Sequence, residues 1–221
     1  MAEKLVFCWS GGKDSALALS KLRQDPAYEV VALLTTVTEG FDRISMHGVR
    51  TALLEQQAAS VGLPLEKVYI SRQASNQEYE SRMRDALQKF KRQGVSAVAF
   101  GDIFLEDLRK YREENLAREG LRGVFPLWKC DTTELARHFI SSSFRTVICC
   151  VDTQVLSQSF AGREFDERFL ADLPAGVDPC GENGEFHSFA YAGPCFRKPV
   201  AFTRGEVVLR DNRFCYCDLV P

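Results

Sequence analysis

At 221 residues the chain has room for one large domain, or for an ordinary domain with a small companion. Its content of 45% hydrophobic, 11% aromatic and 26% charged residues is that of a globular chain and excludes a disordered or fibrous one. With 28 Lys and Arg against 30 Asp and Glu, the net charge of -2 supplies no global basic field, so nucleic acid is not an expected partner. The eight cysteines include no C-x-x-C pair, which argues against a zinc ribbon, an iron–sulfur site or a thioredoxin-type redox pair. No stretch approaches the roughly 18 apolar residues of a membrane span, and the first residues carry no signal-peptide core. The expectation is a cytoplasmic protein with reduced thiols, off the membrane, with self-association left open.

Apolar runs of strand length alternate with helix-period segments over the first two thirds of the chain. That alternation predicts an α/β fold, a Rossmann-like parallel sheet with helices on both faces. Strands are expected at Leu5 to Trp9, Val30 to Val37, Lys67 to Ile70, Val95 to Phe100, Phe125 to Trp128 and Thr146 to Val151. Helices are expected over Ser15 to Leu22, from Arg50 to a stop at Gly62, from Tyr79 to Phe90, and over the charged segment ending near Gly120. Residues 38–48 read as a loop. Asp131 and Glu134 have capping-box spacing for a helix through Phe139. From about Ser157 the texture turns richer in Gly and Pro, with one short helix near Phe165 to Leu170. The chain then finishes in period-2 runs separated at Arg204-Gly205 and Asp211-Asn212, an antiparallel appendage. The expected division is a nucleotide-binding domain over 1–130 and a smaller α+β domain over 131–221.

The most informative residues are Ser10-Gly11-Gly12-Lys13-Asp14-Ser15, where the first strand hands over to the first helix. Glycines let the backbone turn tightly and bring N–H groups to an anion, and the helix N-terminus adds its positive dipole end. Lys13 would neutralise phosphate charge, and Ser10 and Ser15 supply hydroxyl donors. Spacing excludes the Walker A loop, since Asp14 follows Lys13 and Phe7 stands where the first glycine belongs; G-x-G-x-x-G is absent too.

This S-G-G-K-D-S segment resembles the pyrophosphate-binding loop of the PP-loop ATP pyrophosphatases. The resemblance implies cleavage of ATP between the α and β phosphates, with magnesium, through an adenylated intermediate that a nucleophile then attacks. Gly101-Asp102-Ile103-Phe104 with Arg109, the run Gly181 to Ser188, and Met46-His47-Gly48 resemble the diphthine–ammonia ligase family. What that implies is ATP-dependent amidation of the diphthine carboxylate on translation elongation factor 2, with ammonia as nitrogen donor, or amidation of another carboxylate by a close relative. Asp14 and Asp102 are then the magnesium ligands, and Met46 and His47 lie against adenine.

Each segment also has a reading of its own. Asp102 stands at the carboxyl end of a strand, where open α/β sheets place ligands, or serves as a helix N-cap. Glu182 and Glu185, between glycines, can bend toward a ligand, and one of them or His187 would hold ammonium and accept its proton. Phe186, Tyr191 or Trp128 would meet diphthine's quaternary ammonium by cation–π attraction. Two alternatives remain: a tRNA-modifying enzyme sharing the first loop, which predicts a basic surface and cysteine pairs, and an ATP-binding module without turnover.

Overall fold

A computed structural model describes residues 1–40, 43–44 and 48–221. The expected βα alternation is realised in β1 (Glu3–Cys8), α1 (Lys13–Gln24), β2 (Tyr28–Thr38), the two-residue β3 (Arg43–Ile44), α2 (Thr51–Val61), β4 (Leu65–Ile70), α3 (Asn76–Arg92), β5 (Ala97–Ala99), α4 (Glu106–Arg118) and β6 (Arg122–Val124). Local chemistry sets the helix ends. Ser75 accepts the Glu78 N–H at 3.2 Å to start α3, and Gly62, left-handed at φ 76°, closes α2 with bonds to the Ala58 and Ala59 carbonyls.

Parallel pairing of β1 with β2 and β5, of β2 with β4, and of β5 with β6 gives the lateral order β4-β2-β1-β5-β6, while β3 runs antiparallel against the end of β2. Numbered among the parallel strands alone, this is the 3-2-1-4-5 order of a doubly wound sheet. Its direction reverses between β1 and β5, and the crevice beyond their carboxyl ends is where such sheets hold ligands. On one face of the sheet, Val6, Val98 and Leu34 pack against Ala86, Leu87 and Phe90 of α3 and Leu116 of α4. On the other, Leu5, Phe7 and Leu33 pack against Leu19 of α1 and Leu53 and Leu54 of α2.

The rest of the chain forms α5 (Thr132–Ser141), β7 (Arg145–Asp152), α6 (Glu167–Asp172), β8 (Phe186–Ala192), β9 (Thr203–Arg210) and β10 (Phe214–Val220). The Asp131 carboxylate accepts the Glu134 N–H at 2.8 Å at the start of α5, as the spacing predicts. These strands build a separate antiparallel sheet of order β8-β7-β10-β9. Its apolar side joins the α1–α2 layer in one contiguous cluster, in which Phe139, Val147, Phe189 and Cys215 are counted with Phe7 and Leu19. No boundary in the core falls at residue 130.

Four expectations need correction. Within residues 38–48, expected as a loop, Arg43 and Ile44 form β3 against Thr38 and Val37. The fifth parallel strand is Arg122–Val124; Phe125 to Trp128 is a turn whose rings are turned onto a helix side chain, described below. Thr146 to Val151 is a strand, but one that pairs antiparallel with β8 and β10. Arg204-Gly205 is no break, because β9 runs through it; the hairpin turns at Asp211 and Asn212, both at φ 51°. All eight cysteines are described and unpaired, and Cys215 and Cys217 share the buried face of β10 as their spacing predicts. Among the described residues, no helix is long and apolar enough to cross a membrane.

Candidate active site

A cleft of about 490 Å³ opens beyond the carboxyl ends of β1 and β5. The loop after β1 forms its floor. Gly11, at φ 79°, turns its carbonyl inward to accept the Ala190 N–H at 2.8 Å and the Gln57 amide at 2.9 Å. In a trans peptide the next N–H faces the other way, and Gly12 N–H donates to Ser10 Oγ at 3.2 Å on the cleft side. Ser10 and Ser15 hydroxyls sit 2.7 Å apart, so they brace each other as well as bordering the cleft. Gly12 is the N-cap of α1 and offers no side chain to the helix start. The Ser188 hydroxyl accepts the Lys13 N–H at 3.1 Å, so the second sheet caps the helix of the first.

Lys13 is buried at 3% exposure. Its ammonium reaches the Asp14 carboxylate at 2.8 Å, donates to the Cys180 carbonyl, and stands 5.3 Å from the centre of the Phe186 ring. Burial is the largest single influence and would lower its pKa, but the Asp14 charge and hydrogen bond, with Cys180 and Glu182 nearby, together outweigh it and hold the ammonium above its ordinary value. Burial raises the Asp14 carboxyl in turn, and Lys13 only partly offsets this.

The opposite wall comes from residues 180–188. Glu182 Oε1 accepts the Ile103 N–H at 2.7 Å, tying the second domain's loop to the end of β5. Burial pushes the Glu182 pKa up to about 7; the Ile103 bond pulls it down, and the Asp14 and Asp102 charges add to the rise. His187 lines the same cleft, and burial together with Lys13 lowers its pKa to about 4, so it is neutral near pH 7. Gly101 brings β5 against α1: a Cβ there would lie 3.1 Å from the Ser15 amide nitrogen. Asp102 borders the cleft paired with Arg112, Nε to Oδ2 at 2.8 Å.

Not every expected residue converges. Glu185 is 6% exposed and lies outside the cleft; its Oε1 accepts the Asp178 N–H at 3.1 Å and the Asn183 amide at 3.0 Å, bracing its own loop. Arg109 lies outside too, pairing with Glu113 at 2.8 Å and stacking over Phe125 and Trp128 at 4.7 and 4.5 Å. That occupies Trp128, while Tyr191 donates to Glu164 at 3.0 Å and packs on Phe202; of the three aromatic candidates only Phe186 lines the cleft. Met46 and His47 lie outside the described residues. Arg112, three residues beyond Arg109, reaches the cleft in its place; the helical charge pattern gave no sign of which arginine would. Gln57 was also missed. Fully buried, it accepts the Trp9 Nε1–H at 3.0 Å and donates to Gly11 and Ala190 carbonyls, locking the loop to β8. A glutamine in an apolar helix was its only sequence signal.

Two family models match this chain: the diphthamide synthase N-terminal domain over residues 3–123 and the diphthamide synthase C-terminal domain over residues 131–218. The chain belongs to the diphthamide synthase family. Relatives in that family include a protein of Schizosaccharomyces pombe named diphthine–ammonia ligase, 26% identical over 96% of this chain and 38% of its own length. The human protein of the same name is 26% identical over 91% of this chain and 84% of its own, and the Danio rerio protein 27% identical over 95% and 90%. The chain thus spans well under half of the yeast relative and most of the vertebrate ones. Both halves of the diphthamide synthase pattern meet at one cleft here, the first contributing the Ser10–Ser15 loop and Asp102, the second Glu182 and His187.

Proposed function

We propose that this chain is an ATP-dependent diphthine–ammonia ligase that amidates a carboxylate through an acyl-adenylate, releasing AMP and pyrophosphate. The observation that carries the reading is that one cleft joins a glycine loop at a helix start and a buried cation, Lys13, to a carboxylate, Glu182, whose pKa burial raises to about 7. The loop and Lys13 receive the departing pyrophosphate, where charge develops and donors are already in place. Arg112, stacked over Phe100 at 4.4 Å and paired with Asp102, is the cleft cation assigned in this reading to the acceptor carboxylate. Ammonia is mostly ammonium at neutral pH. Glu182 matches the task of removing its proton better than His187, whose pKa of about 4 makes it a weak base but a ready neutral hydrogen-bond partner.

Magnesium belongs to the same proposal. Among the described residues no three His, Cys, Asp or Glu side chains are grouped to hold a metal, and Asp14 and Asp102 each already face a cation. A magnesium ion would therefore arrive on the nucleotide phosphates with one carboxylate added, the usual manner of that ion, and would screen phosphate charge when bound.

The proposed acceptor is diphthine on elongation factor 2. Incubation with ATP, isotopically labelled ammonium and the factor carrying diphthine tests each part. AMP and pyrophosphate with label in the factor are expected. ADP and phosphate would overturn the adenylation, and label entering only a small carboxylic acid would overturn the acceptor.

A further inference from the structure

β9 is the outer strand of the second sheet, and all eight of its residues are exposed. Its inner edge pairs with β10, which places Val207 opposite Cys217 and Leu209 opposite Cys215. Directly opposed residues share a face, so Val207 and Leu209 continue the core-facing side of the sheet, where both cysteines are buried. The core ends before it reaches them: Val207 is 53% exposed and Leu209 42%. On the other face Val208, 39% exposed, is flanked at period 2 by Glu206 and Arg210. A strand with an unpaired edge and three consecutive exposed apolar side chains is a template for another strand.

The order of residues along β9 says which strand fits. Laid antiparallel against a copy of itself and centred on Val208, the sequence Thr-Arg-Gly-Glu-Val-Val-Leu-Arg sets Val207 opposite Leu209 and Glu206 opposite Arg210, each twice by symmetry. The core-side face gains a four-residue apolar cluster, and the outer face gains a Val208 contact bracketed by two opposite-charge pairs. Moving the centre to Val207 would set Arg204 against Arg210 twice, and like charges directly opposed are destabilising. We propose that the chain associates with a second copy of itself through antiparallel β9–β9 pairing centred on Val208, which joins two four-stranded sheets into one eight-stranded sheet. A twofold contact of this kind closes on itself, so it stops at a dimer. One strand pair buries less than the 1,200 Å² or so of a standard stable interface, so the dimer forms and dissociates with concentration.

Sedimentation of the full chain from low micromolar to submillimolar concentration should show a monomer–dimer equilibrium. Glu206→Arg and Arg210→Glu each replace two opposite-charge pairs with two like-charge pairs and should weaken association about tenfold or more. Together they reverse both pairs and should restore the wild-type equilibrium. Circular dichroism and melting check that the exposed substitutions leave the fold intact, and hydrogen exchange should protect β9 amides only at high concentration. A monomer at every concentration would overturn the proposal, as would a dimer indifferent to both single variants or a double variant that stays weak. Protection of β9 that arises only when the acceptor protein is added would assign the edge to that partner instead.

Discussion

At the scale of single residues, Glu182 and His187 titrate in opposite senses, and this makes their roles separable. Glu182 holds its proton in the folded state up to about pH 7 against an ordinary 4.5, so between those values the folded state binds more protons and stability falls as pH rises. His187 is lowered from 6.5 to about 4, so from 6.5 downward the unfolded state binds more protons and stability falls as pH drops. Between about 4.5 and 6.5 the two slopes oppose each other, and the wild-type stability curve hides both. Glu182→Gln keeps an oxygen to accept the Ile103 N–H while removing the titration. Its melting temperature should therefore rise with pH across that window, whereas that of His187→Asn should fall; parallel curves for both variants would mean that neither group is shifted as described. The same Glu182→Gln change should lower the amidation rate by about 10²- to 10⁴-fold and remove an ascending limb near pH 7, with ATP affinity little changed. Retention of that limb in the variant would exclude Glu182 as the base.

Elements, one level up, act through where they meet. Ser188 on the Lys13 N–H, Glu182 on the Ile103 N–H and the Lys13 ammonium on the Cys180 carbonyl join the Ala190 contacts with Gly11 and Gln57 in clamping β8 and the loop before it onto the first sheet's layer. Ser188→Ala removes a helix cap supplied from the second sheet and should cost about 1 kcal/mol in denaturant unfolding while raising the KM for ATP, because the helix start it holds is the floor proposed to receive the phosphates. Gly101→Ala would force a Cβ to 3.1 Å from backbone rather than from a flexible side-chain tip. It should destabilise by roughly 1–3 kcal/mol and weaken nucleotide binding beyond that; wild-type affinity in a folded variant would show that the β5–α1 approach does not shape the site.

Sequence periodicity identified nearly every element because each carries its own signal: branched runs for β2, the Asp131 cap, glycine after α2. It could not say that β7 leaves the parallel sheet, since a buried run such as Thr-Val-Ile-Cys-Cys-Val reads alike in either sheet. That the loop Ser10–Ser15 borders the cleft was legible because glycine, lysine and position coincide there. The choice of Glu182 over Glu185, or Arg112 over Arg109, was not, because it depends on which way a loop or helix face turns once the second sheet is docked.

For the whole molecule, the decisive feature is that the larger core cluster crosses residue 130. Phe7, Leu19 and Leu54 share it with Phe139, Val147, Phe189 and Leu219, all at most 2% exposed. Each such side chain contributes about 1.5–3 kcal/mol on burial, and net domain stabilities are only about 5–15 kcal/mol. Uncovering even a handful of the shared positions would therefore cancel the stability of either half. A chain ending at residue 130 also loses the Ala190 N–H that holds the Gly11 carbonyl and the Ser188 cap on α1, so its Ser10–Ser15 loop would lack two of its fixed points. The full chain should accordingly unfold in one cooperative transition. Fluorescence of Trp9 and Trp128, both in the first half of the chain, and near-ultraviolet signals from the phenylalanine cluster around Phe169 and Phe186, in the second half, should share one midpoint in urea. The fragment 1–130 should bind the apolar dye ANS and show no sharp melt. Two separated midpoints, or a 1–130 fragment that melts cooperatively and binds ATP with full-chain affinity, would show instead that the halves are independent and that the second sheet merely borders the cleft.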